Sequence, residues 1–116
     1  MAHTTNLPCS AEKYFTPAGN KYKFTFEWRG DSWRVWIDKH PSYGCRSKDG
    51  HSTHRWATSS GHYICWDQPL RTLADARAVA HLWARGTDVY IASGRFPSAN
   101  ELDAPAQSSW FGNLFG

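Results

Sequence analysis

Cys45, His51, His54 and Cys65 are the residues of this chain whose chemistry stands out first. Thiolate and imidazole are the ligands zinc prefers, and four of them complete a tetrahedral site. Their spacing matches no compact site. There is no Cys-x-x-Cys knuckle, and the two histidines are separated only by Ser52 and Thr53. Each also has a plainer explanation: Cys65 as a small hydrophobe in a strand, Cys45 idle in a loop, the imidazoles in water. Neither a metal nor another cofactor is expected. The same region offers Cys45 as a nucleophile, with His51 or His54 as base and Asp49 to orient it. Catalysis needs such a set within reach of one another, but a small chain with 6 histidines permits many drawings of this kind. No nucleophile elbow, P-loop, dinucleotide fingerprint or paired metal-carboxylate motif is present. The expectation is a protein without enzymatic activity.

The elements that would position these residues follow from periodicity. Leu70 to Gly94 reads as one amphipathic helix, from about Thr72 to Ser93. Thr72 and Asp75 have the spacing of a capping box. Leu73, Ala76, Ala80, Trp83, Thr87, Tyr90 and Ile91 recur at three- and four-residue steps and share one stripe. Gly94 suits a left-handed C-cap, and Gly86 costs about 1 kcal/mol relative to alanine inside a helix. Before the helix, Tyr22, Phe24, Phe26 and Trp28 alternate with polar residues as a half-buried strand does. Turn chemistry at Arg29-Gly30-Asp31-Ser32 joins it to a second strand from Trp33 to Asp38, a hairpin. On that second strand Trp36 lies beside Arg34, opposite the core face. Residues 39–52 read as an exposed loop, with further strands at Thr53–Thr58 and His62–Trp66. Residues 1–20 read as an irregular arm, and residues 97–116 as a linker and aromatic tail. The fold class expected is α+β: a three- to four-stranded antiparallel sheet with one long helix on one face, residues 21–96 forming the domain.

Arg34, Arg46, Lys48, His54 and Arg55, with Trp36, could form a basic reading surface on such a sheet. Strands followed by a helix resemble, in element order only, the small DNA-binding domains of the AP2 and integrase arm-binding type. That resemblance covers residues 21–93 and implies a sheet that enters the major groove, backed by a helix. The net charge of +3 permits nucleic-acid binding without arguing for it.

A protein partner is the leading expectation. Trp, Tyr and Phe make up 16% of the chain, more ring than a small core readily hides. Trp36 sits off the core face. Ala78, Leu82 and Val89 form a second apolar ridge on the helix. Trp110, Phe111, Leu114 and Phe115 follow a polar linker and offer either an internal latch or a partner motif. In residue texture the chain resembles small accessory or inhibitor proteins of bacteria and phages. The expected function is a binding or regulatory module acting on a protein, with DNA binding next and a zinc-containing variant third. Three cysteines and no secretory or membrane-spanning segment imply a cytoplasmic protein.

Overall fold

The computed structural model describes residues 9–98 and 100–102. Five strands, β1 (Cys9–Phe15), β2 (Lys21–Trp28), β3 (Trp33–Lys39), β4 (Arg55–Thr58) and β5 (Gly61–Ile64), form one sheet in the order β1-β2-β3-β5-β4. Every neighbouring pair is antiparallel. A short helix α1 (Gly50–Thr53) precedes β4, the long helix α2 (Leu73–Ser93) packs on one face, and a 3-10 turn spans Asn100–Leu102. The architecture is α+β, as the alternation and the helical period predict. Among the described residues no helix is long and apolar enough to cross a membrane.

The sheet has five strands where three or four are expected, because the supposed irregular arm contains β1. Its inward positions carry little apolar character. Glu12 grips Arg77 of α2 through both carboxylate oxygens at 2.6 to 3.0 Å, and the Tyr14 ring stacks on His81 at 4.0 Å. A strand that docks on a helix through an ion pair and a ring stack leaves no hydrophobic alternation to read. The loop after β3 is likewise shorter than expected. Asp49 caps α1 by accepting from the Ser52 amide at 3.0 Å, and His54 ends that helix in the left-handed region at φ 53°.

The core lies between β2, β3 and α2. Tyr22, Phe24 and Phe26 turn inward, and Trp83 stands edge-on to Tyr22 and Phe24 at 6.0 and 6.1 Å. The Trp83 indole donates to the Thr53 carbonyl at 3.0 Å, which ties α1 to α2. Thr72 caps α2 by accepting from the Asp75 amide at 3.0 Å, and Gly94 closes it at φ 86°. Arg46 adds a side-chain cap. Its Nε and Nη2 donate to the carbonyls of Ile91 and Ala92 at 3.1 and 3.0 Å, where the helix dipole favours a cation.

The buried arc of α2 is wider than one stripe. Val79, Leu82, Ala84 and Gly86 are buried together with Ala76, Ala80, Trp83, Thr87 and Tyr90. Leu82, expected on an exposed ridge, is 1% exposed. The chain after α2 turns back and lays the Phe96 ring on Gly86, and Leu102 packs against the core. Val89 remains 39% exposed and Ala78 is half-buried. Trp110, Phe111, Leu114 and Phe115 lie outside the described residues.

Candidate functional site

The sheet face away from α2 collects the chemistry. Paired residues on antiparallel strands point to the same side. Thr25 pairs with Trp36, Trp36 with Tyr63 and Tyr63 with Trp56, so one row crosses from the middle of the sheet to its β4 edge. The Trp36 and Tyr63 rings meet at 5.4 Å, and Trp56 is 55% exposed. Arg34 lies over this row, its guanidinium 4.0 Å from the Tyr63 centroid and 5.6 Å from that of Trp36. A second row runs beside it, about 7 Å along the strands. Lys23 pairs with Lys13 on one side and, across an irregularity in the β2–β3 register between Lys23 and Phe24, with Lys39 on the other, which sets three lysines side by side. Lys21 is opposite Phe15, a ring 59% exposed.

The acids on this face are engaged by neighbours. Glu27 accepts from the Trp36 indole and from Arg29, each at 3.0 Å. Burial works to raise its carboxyl, but those two donors outweigh it and the pKa is lowered. Asp38 accepts from the Thr25 hydroxyl. None of Lys13, Lys21, Lys23 and Lys39 forms an ion pair among the described residues. The result is a face of edge-to-face rings and an exposed indole beside lysines that form no ion pair among the described residues.

The basic residues singled out from sequence do not gather on this face as a group. Arg34 is on it. Arg46 is the cap of α2 described above, and Lys48 is exposed in the loop before α1. Arg55 is 6% exposed and turned inward. Its Nε donates to Thr53 Oγ1 at 3.1 Å, its Nη2 to the Lys48 carbonyl at 3.3 Å, and its guanidinium lies 4.9 Å from the Tyr43 ring. Trp36 is half-buried on the row. Leu82 is in the core, so of the helix ridge only Val89 offers an exposed side chain.

Of the four zinc candidates, three line one hollow of about 380 Å³: His51, His54 and Cys65, with Gly50, Arg55 and Trp56. Cys45 is not among them, and it is exposed. No group of three or more His, Cys, Asp or Glu among the described residues is arranged to hold a metal ion. Burial raises the Cys65 thiol, against a hydrogen bond from Trp56 that lowers it, so the group is a weak nucleophile at neutral pH. Asp49, the proposed orienting acid, is committed to Ser47 and Ser52, which hold its carboxyl far below the usual range.

No family model, curated protein or solved structure matches the chain. Function is therefore read from the surface itself. Sequence reasoning missed Tyr63, Trp56 and the lysine row. Lys13, Lys23 and Lys39 are ten and sixteen positions apart and become neighbours only through strand register.

Proposed function

We propose that this protein binds single-stranded nucleic acid on the helix-free face of its sheet. The row of Trp36, Tyr63 and Trp56 under Arg34, set beside the Lys13, Lys23 and Lys39 row, carries the reading. Single strands are held by rings on which bases stack, worth about 1–3 kcal/mol per base, and by cations that track the backbone. Arg34 extends the same platform, since a planar guanidinium stacks on a ring and reaches phosphate at once.

Breadth argues against a groove reader of the AP2 or integrase arm type. Five strands about 4.8 Å apart span about 19 Å between outer axes, against a major groove about 12 Å wide. A broad sheet face suits a strand whose bases are already free. The protein-partner reading has less support, because burial of Leu82 removes the centre of the helix ridge on which it drew.

Fluorescence anisotropy with a labelled oligouridylate tests the proposal. Trp56→Ala and Arg34→Ala should each weaken binding by about 1–3 kcal/mol, while duplex of the same length competes poorly. Equal affinity of both variants and the parent chain would remove the sheet face from consideration.

A further inference from the structure

The hollow bounded by α1 and the β4 edge is continuous with the aromatic row, because Trp56 belongs to both. We propose that it receives one unstacked nucleobase of the strand carried on the sheet, an inference that rests on the function proposed above. The row can go no further than Trp56, because β4 is the edge strand, and Trp56 shares the hollow with His51 and His54. A strand stacked along Tyr63 and Trp56 therefore reaches the hollow at this point. Its next base has either to leave the protein or to enter the hollow.

Three features fit a base. The volume of about 380 Å³ lies at the small end of the ~300–1,000 Å³ typical of ligand sites. Its wall carries an indole and two imidazoles, and unstacked bases stack on such rings. The Arg55 guanidinium is turned away into the core, so the hollow suits an uncharged ring better than a phosphate. Burial and the nearby His51 lower the pKa of His54, which keeps its imidazole neutral and that part of the wall uncharged.

Cys65 lines the hollow and reports its occupancy. The chain carrying Cys9→Ser and Cys45→Ser leaves Cys65 as its sole thiol. Its alkylation by iodoacetamide is followed with a short oligouridylate, with the same oligonucleotide bearing an abasic end residue, and with uridine alone. The intact oligonucleotide should slow alkylation about tenfold at nine-tenths occupancy. The abasic oligonucleotide should bind the sheet yet leave Cys65 reactive, and His51→Ala should reduce protection by the intact strand more than it reduces affinity. Uridine at high concentration should protect weakly. Tight binding with Cys65 alkylated at the free rate, or equal protection by the abasic strand, overturns the pocket and leaves the sheet reading intact. Failure of any oligonucleotide to bind overturns both.

Discussion

The indole of Trp83 joins three parts of the chain: Tyr22 and Phe24 on the sheet, and the Thr53 carbonyl in α1. It is fully buried, so truncation would open a cavity and leave that carbonyl without its donor. Trp83→Ala should cost about 3–5 kcal/mol, read as a lower urea midpoint. His40 sits nearby and sets a pH limit. Its Nδ1 faces the Pro41 carbonyl at 2.6 Å, and its Nε2 faces Arg55 Nη1 at 3.4 Å. The imidazole is therefore neutral, with the proton on Nδ1 and a lone pair toward the guanidinium. Burial lowers its pKa below the ordinary 6.5 and Arg55 lowers it further, against the Pro41 carbonyl, which works to raise it. Burial likewise lowers His54, His62 and His81. A folded-state pKa below the unfolded value means stability is full above about pH 6.5 and declines as pH falls through the folded value. Melting temperature should drop between about pH 7 and pH 5, and His40→Gln should flatten that drop. An unchanged slope would show that His40 takes up its proton without cost.

At the scale of elements, α2 tolerates its weakest residue because a ring needs the space. A Cβ on Gly86 would lie 2.5 Å from Cε1 and Cζ of Phe96. Alanine should gain about 1 kcal/mol of helix propensity in isolation. Overpacking costs about 1–3 kcal/mol, so Gly86→Ala should be net destabilising. The double variant with Phe96→Ala should be less destabilised than the sum of the single changes, since the clash disappears with the ring. Additive single effects would mean that Phe96 does not sit on Gly86. Leu82, one turn before Gly86, is buried in the same cluster as Phe96. A glycine that weakens a helix in sequence is, in the fold, the seat of a buried phenylalanine.

Over the whole molecule, charge and shape separate by face. One side of the sheet is closed by α2, and the other carries four lysines with no ion-pair partners among the described residues. The overall charge of +3 hides this concentration. Removing one cation from beside a phosphate of a single strand should lower the slope of log affinity against log salt by about 0.7. Lys23→Gln should therefore reduce that slope by about 0.7 while leaving the melting temperature nearly unchanged. Lys48→Gln, away from this face, should leave the slope alone. A slope insensitive to Lys23 but sensitive to Lys48 would move the nucleic-acid path off the sheet.

The sequence by itself determined the elements whose side chains repeat. Alternating rings gave β2 and its hairpin partner, and the three- and four-residue period gave α2 with both caps, because burial on one face imposes that period. It did not reveal β1, whose inward contacts are an ion pair and a ring stack, nor the burial of Leu82, which depends on tertiary packing around α2. It named Trp36 and Arg34 but could not join them to Tyr63 and Trp56. It also grouped Arg46 and Arg55 with Arg34 as a basic set, whereas one caps a helix and the other fills the interior. Local pattern reports which face a residue takes within its own element. Strand order, register and the return of a loop decide which faces meet, and those arise from contacts between residues far apart in the chain.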